Sequence, residues 1–170
     1  MPSPRINKAE KDETYFITIT VIDWIPIFIS PDYFEIILEA LKHHCSKNEF
    51  RLLGYVIMTN HIHLMINSPD SIKFLISFKS YTTYRILKKL KENNKSSFIN
   101  LLIKQKRIWQ KTNMPILIYS EKFFQEKLNY IHNNPVVKEY VDSPEEWIYS
   151  SARNYYNNDH SIIYIENEIW

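Results

Sequence analysis

Gly54-Tyr55-Val56-Ile57-Met58-Thr59-Asn60-His61-Ile62-His63-Leu64 is the stretch on which the fold turns. Leu52–Met58 and His61–Ile66 are strand-like runs, and Thr59-Asn60 between them makes a two-residue turn, with asparagine tolerating positive φ. Strand side chains alternate, so His61 and His63 share one face while Ile62, Leu64 and Ile66 point to a core on the other. Upstream, the β-branched and aromatic Thr14–Ile22 reads as a strand. Ser30-Pro31-Asp32 starts a helix running from Pro31 to about Lys47, with Phe34, Ile37, Leu38, Leu41 and Cys45 at helical spacing. Downstream, Ser68-Pro69-Asp70-Ser71 opens a second long helix, and residues 92–98 form a polar loop. Short extended or helical pieces follow to Tyr119. Ser120-Glu121 then caps a third helix with Phe124, Leu128 and Ile131 on its buried stripe. Pro135 disfavours helical geometry before it, so this helix should end at Asn134, with another helical piece following from Pro135. Ser143-Pro144-Glu145-Glu146 starts a further helix, and Ser161–Ile165 is a candidate terminal strand. The order β-α-β-β-α-(β)-α predicts an α+β fold, a ferredoxin-like antiparallel sheet with helices packed on it.

The 170 residues are the size of one domain, and 45% hydrophobic content excludes a disordered or low-complexity chain. A single domain over 1–170 is expected, with 1–13 as a flexible lead-in and about 136–170 as a C-terminal extension. One cysteine, Cys45, excludes a disulfide scaffold and a multi-cysteine zinc site, and a lone thiol suits a reducing cytoplasm. One glycine, Gly54, excludes every glycine-rich phosphate cradle and with it ATP- or NAD-dependent chemistry on those folds. No apolar stretch approaches membrane-spanning length, and the polar N-terminus carries no signal peptide, so no membrane partner is expected.

Charge is unevenly spread. Lys79, Arg85, Lys88, Lys89, Lys91, Lys95, Lys104, Lys106, Arg107 and Lys111 face one acid, Glu92, so this segment carries +9 in a chain of net +2. Such a concentration suggests a polyanion footprint, against the plainer alternative of a solvated helix face. Phe78, Tyr81, Tyr84, Phe98 and Trp109 are interleaved with it, and aromatic platforms beside cations suit single-stranded nucleic acid. Phe78 and Phe98 read better as core, while Trp109, between Arg107 and Lys111, is the better stacking candidate.

Two histidines on one strand face form a divalent-metal pair, although an isolated H-x-H is more often two half-buried surface histidines. Tyr130 lies off the buried stripe of its helix, with Asn134 one turn on and Lys127 three residues back on the same face. A packed amphipathic tyrosine is the plainer reading of any one of the 12 tyrosines.

The quoted Gly54–Leu64 stretch resembles the GYVIMPNHVHLL signature of the single-strand insertion-sequence transposases of the His–hydrophobic–His (HUH) superfamily. Asn129-Tyr130-Ile131-His132-Asn133-Asn134-Pro135-Val136-Val137 resembles the YIHxNPVRxGLV motif of their REP-associated tyrosine transposase branch. Phe78-Lys79-Ser80-Tyr81-Thr82, Trp109-Gln110-Lys111, and Pro144-Glu145-Glu146-Trp147 leading to Ser150-Ser151 match in order as well. The resemblance runs from about Tyr15 to Tyr155. Thr59 stands where the family has proline, and Lys138-Glu139-Tyr140 replaces R-x-G.

The resemblance implies a transposase or endonuclease that cuts and rejoins single-stranded DNA through a covalent 5′-phosphotyrosine. Carried over, Tyr130 is the nucleophile, and His61, His63 and Asn134 hold a divalent metal, Mg²⁺ or Mn²⁺. Lys79, Arg85, Lys88, Lys89, Arg107, Trp109 and Lys111 would bind the single-stranded or hairpin DNA. The bacterial cytoplasm or nucleoid is the expected location, and a homodimer is left open. Phenolate is a good leaving group, so a DNA 3′-hydroxyl can displace it without ATP, in keeping with the missing nucleotide motifs. The competing readings are a domesticated endonuclease of the same superfamily and a non-catalytic single-stranded nucleic-acid-binding module on a ferredoxin-like fold. The latter would not need His61, His63 and Tyr130 together. A closed structural zinc site is disfavoured by a set of two histidines and a distant asparagine.

Overall fold

The histidine-bearing strand is central to the sheet. A computed structural model describes residues 13–93 and 97–166. In it β3 (His61–Ser68) pairs antiparallel with β2 (Arg51–Ile57) on one side and β1 (Glu13–Thr20) on the other, and a two-residue β4 (Ile116–Leu117) joins the far edge of β1. The resulting order, β2-β3-β1-β4, with α1 (Pro31–Ser46) between β1 and β2 and α2 (Ser71–Asn93) after β3, is the expected ferredoxin-like arrangement. The 92–98 stretch is not wholly loop: α2 runs to Asn93 and α3 covers Ser97–Gln105, while residues 94–96 lie outside the described residues. The lead-in through residue 12 and Lys95 lie outside them too.

The two faces of the sheet are filled from different helices, as strand alternation requires. Tyr15, Ile17 and Ile19 of β1 and Ile62, Leu64 and Ile66 of β3 pack with Phe34, Ile37 and Leu41 of α1 and Phe74, Phe78 and Ile86 of α2. On the opposite face Phe16, Leu53, Val56 and Met65 meet Phe124, Leu128 and Ile131 of α4 (Glu121–Val137). Close approach of α4 explains the single glycine: a Cβ at Gly54 would stand 2.9 Å from Leu128 Cδ1. Gly54 also follows a register shift in β2, where the strand bends.

The hairpin closes with Met58 N donating to His61 O at 2.8 Å. Asn60 does not take positive φ there. The asparagine is used for its side chain, whose Nδ2 donates to Trp24 O and whose Oδ1 faces His61.

The resemblance motifs interlock pairwise. Trp109 Nε1 donates to Thr82 Oγ1 at 2.9 Å, Lys79 Nζ donates to Gln110 O at 2.7 Å, and Gln110 N donates to Thr20 O. Trp109 is only 1% exposed and stacks on Phe28, so it is not the exposed stacking residue expected from its flanking cations. A large indole with a satisfied N–H gains more in the core than on the surface. Ser151 is fixed against β2: its N donates to Tyr55 O, and its Oγ accepts from Tyr55 N at 2.9 Å. With Ile57 N donating to Tyr149 O, residues 149–151 cover the β2 edge.

Three expectations are corrected at the C-terminal side. The segment after Ser143 makes only a single 3-10 turn, Pro144–Glu146, closed by a capping box between Ser143 and Glu146. Ser161–Ile165 is not a strand; the nearby β2 edge is already taken, and the segment buries Ile163 and Ile165 instead. Finally, α4 does not stop at Asn134 but runs through Pro135 to Val137. Proline costs little in a last turn because only one backbone donor is lost, and Ile131, Asn134 and Pro135 are all buried by continuing.

The helix ends in a Schellman motif, with Glu139 N donating to Val136 O, Tyr140 N donating to Pro135 O, and Glu139 at φ 58°. The left-handed position that favours glycine is therefore Glu139, which puts the family's R-x-G at Val137-Lys138-Glu139, one residue earlier than the motif comparison placed it. Glu139→Gly is expected to raise stability by about 1 kcal/mol, read as a higher denaturation midpoint; an unchanged or lower midpoint would contradict it. The departing Thr59 meets Tyr140, their hydroxyls 3.1 Å apart, so the hairpin turn is bonded to the end of α4.

Candidate active site

His61 and His63 project from β3 into the face that α4 covers, with ring centroids 4.8 Å apart. The Asn60 amide fixes the first ring: its Nδ2 donates to Trp24 O at 3.1 Å, so Oδ1 is the atom 2.7 Å from His61 Nδ1, and that nitrogen must donate. His61 Nε2 is thereby the ring's acceptor, and the Asn134 side chain is its hydrogen-bonding neighbour. His63 Nδ1 shares a hydrogen bond with Thr18 Oγ1 across the β1–β3 pair at 2.9 Å. Burial holds both imidazoles neutral, His63 down to about 3 and His61 to about 4, with nearby Lys127 and Lys138 respectively adding to the effect. The Asn134 amide opposes the shift at His61.

Two buried polar atoms here have no hydrogen-bond partner: His63 Nε2 and Asn134 Oδ1. An orphaned imidazole nitrogen and an orphaned amide oxygen are costly unless something binds them. With His61 Nε2, they would make a neutral N,N,O donor set suited to Mn²⁺ or Mg²⁺, with coordination positions to spare for phosphate and water. The structure thus brings together the three expected metal-holding residues.

Tyr130 lies on the face of α4 that reaches the histidines. Its ring stands edge-on to His63 at 5.1 Å and to Phe16 at 6.0 Å, and half of the residue is exposed. Lys127, one turn back, holds its Nζ over three rings: Phe16 at 4.8 Å, Phe123 at 5.4 Å and Tyr130 at 5.7 Å. The positions of Asn60, Thr18, Trp24 and Lys138 around the histidines did not follow from the sequence. Only Lys127 carried a signal, its i−3 spacing from Tyr130.

His132 faces away from this site, buried and bonded to Ser151 Oγ at 2.9 Å. Burial lowers its pKa from 6.5 to about 4. The folded state therefore binds fewer protons than the unfolded one, and stability present above 6.5 drains away as pH falls towards 4. His132→Gln should flatten part of that acid-side fall in melting temperature. A slope identical to wild type between pH 6.5 and 4 would refute the contribution.

The basic run is not drawn to this site. α2 packs on the opposite face of the sheet, where Arg85 pairs with Glu39 of α1 at 3.0 Å and Lys89 with Asp32 at 2.8 Å. Lys79 is spent on Gln110 and Asn113, with burial lowering its pKa. Arg107 is half-buried, with its Nε unpartnered, whereas Lys88 and Lys111 are exposed. Cations that do flank the histidines and the tyrosine are Lys127 and Lys138. Among the described residues no helix is long and apolar enough to cross a membrane.

Residues 26–143 match the family model described as "Transposase IS200 like". A Haemophilus influenzae protein named a REP-associated tyrosine transposase is 30% identical over 145 residues, which span 83% of this chain and 80% of that one. A solved structure of a REP-associated tyrosine transposase bound to a REP hairpin superposes with a TM-score of 0.71, covering 100% of this chain and 95% of that one; at 18% identity this likeness concerns the fold.

Proposed function

The chain belongs to the IS200-like transposase family and, within it, to the REP-associated tyrosine transposases, and from that premise we propose that it cuts and rejoins single-stranded DNA at Tyr130. The observation that carries this reading is the placement of the half-exposed Tyr130 ring 5.1 Å from His63, with Asn134 on the next turn of the same helix. Tyr130 Oη attacks a backbone phosphorus, forming the phosphotyrosine bond as the P–O3′ bond breaks. The phenolic proton leaves to solvent, and the departing 3′-oxygen takes up a proton to become a free hydroxyl. Rejoining is the reverse, with a DNA 3′-hydroxyl attacking the 5′-phosphotyrosine and tyrosine leaving. His61, His63 and Asn134 would hold a divalent cation, which when bound offsets the phosphate charge and orients it for in-line attack. Asn60 and Thr18 orient the two imidazoles, and Lys127 and Lys138 offer positive charge to the flanking backbone.

We take the substrate to be DNA that carries a hairpin, since the solved REP-associated tyrosine transposase is bound to a REP hairpin, with an unpaired segment beside it that Tyr130 can reach. The test is incubation with a panel of single-stranded hairpin DNAs, with Mn²⁺ and with EDTA. A DNA-linked protein band on a denaturing gel, seen only with Mn²⁺, is expected. Tight binding with no adduct on any hairpin would favour the non-catalytic binding module.

A further inference from the structure

We propose that Trp24 is a stacking platform for an unpaired DNA base next to the phosphate that Tyr130 attacks. This rests on the strand-cutting reading of the site.

Trp24 is 55% exposed, although a tryptophan this large usually hides its ring, as Trp109 does at 1%. Its indole stands edge-on to His61, with centroids 5.7 Å apart, so a base on its open face adjoins the histidine pair. It is also held there at a cost. Asp23 and Trp24 both adopt left-handed backbone, at φ 53° and 56°, a conformation that side-chain-bearing residues avoid. A tight turn keeps them so, with Trp24 N donating to Val21 O and Ile25 N donating to Ile22 O. The Trp24 carbonyl accepts from Asn60 Nδ2, so one asparagine sets both the position of the indole and the tautomer of His61. Core burial does not explain this arrangement, because more than half of the residue's surface remains exposed.

The occupant follows from what surrounds the indole. Lys138 stands one turn after Asn134 at the end of α4, its backbone N donating to Asn134 O, so the candidate phosphate site that the indole adjoins through His61 has a cation at its edge. An aromatic face next to a cation and a backbone-phosphate position matches the way proteins hold single strands, where every base offers a π-face. Stacking there would splay the flanking base from its neighbour and steady the phosphate before attack.

The test measures binding in EDTA, where no strand is cut, using an oligothymidine and an abasic strand of equal length. Wild type should prefer the oligothymidine. Trp24→Gly should weaken oligothymidine binding about five-fold or more while leaving the abasic strand unchanged, and Trp24→Phe should keep most of the affinity. Glycine also relieves the left-handed backbone, so the melting temperature of Trp24→Gly should not fall, which separates loss of a platform from loss of structure. Oligothymidine binding at wild-type strength in Trp24→Gly would overturn the proposal. Equal weakening toward both strands, or weakening only in step with a lowered melting temperature, would overturn it too, by assigning Trp24 a structural role. Because no adduct is scored, failure of Tyr130 to react would leave this measurement standing, and a cutting enzyme indifferent to Trp24 would remove the platform alone.

Discussion

Tyr130→Phe is expected to yield no covalent DNA adduct under conditions where wild type gives a clear band, while binding of hairpin DNA and of Mn²⁺ stays near wild type. The substitution keeps the ring that packs edge-on against His63 and Phe16 and lies under Lys127, so the site should hold its shape. Only the nucleophilic oxygen is removed. Tyr130 is half exposed, so losing its hydroxyl should change stability by less than about 0.5 kcal/mol. A denaturing gel and a thermal melt together check both halves of the expectation. An adduct at wild-type level in the phenylalanine variant would move the nucleophile elsewhere, with Tyr81 and Tyr84 on α2 next to be tried, although both lie on the opposite layer from the histidines.

His63→Ala should lose Mn²⁺ binding almost entirely, a weakening of at least about 100-fold by calorimetry. The reason lies in how few donors there are: two imidazoles and one amide oxygen, with His63 Nε2 and Asn134 Oδ1 both buried and otherwise unpartnered. Taking away one of three leaves a pair that cannot surround the ion. Folding is a separate matter. Alanine removes an unsatisfied buried nitrogen as well as the ring it belongs to, so the two effects on stability oppose each other. Equal Mn²⁺ affinity in wild type and His63→Ala would remove the metal site and, with it, the role given to Asn134.

Much of the candidate site is legible in the sequence. Placing His61 and His63 on one face needs only the two-residue period of a strand, and placing Asn134 and Lys127 with Tyr130 needs only the turn of a helix. The end of the tyrosine helix departs from the local rule. Pre-proline geometry argues for a stop at Asn134, yet burial of Ile131, Asn134 and Pro135 carries α4 one turn further, to a Schellman cap on Glu139. A local bias was outweighed there by packing against β1, β2 and β3, strands far earlier in the chain.

The aromatic and basic residues were harder, and the two tryptophans show why. Trp109 sits among cations in the sequence and Trp24 among apolar residues, yet Trp109 is core and Trp24 is exposed beside His61. The run from Lys79 to Lys111 reads as a polyanion footprint, and in the fold its helix α2 lies across the sheet from the histidines, with Arg85 and Lys89 paired to acids of α1. The amino-acid sequence by itself determined the strand, the hairpin and the helix that carry His61, His63, Tyr130 and Asn134, because spacing within an element is fixed by its own period. Tertiary structure alone decided that α4 covers the histidine face, that Asn60 and Thr18 orient the rings, and which tryptophan meets solvent there. Those contacts join elements far apart in the chain, and no local period encodes which face of a sheet a distant helix will cover.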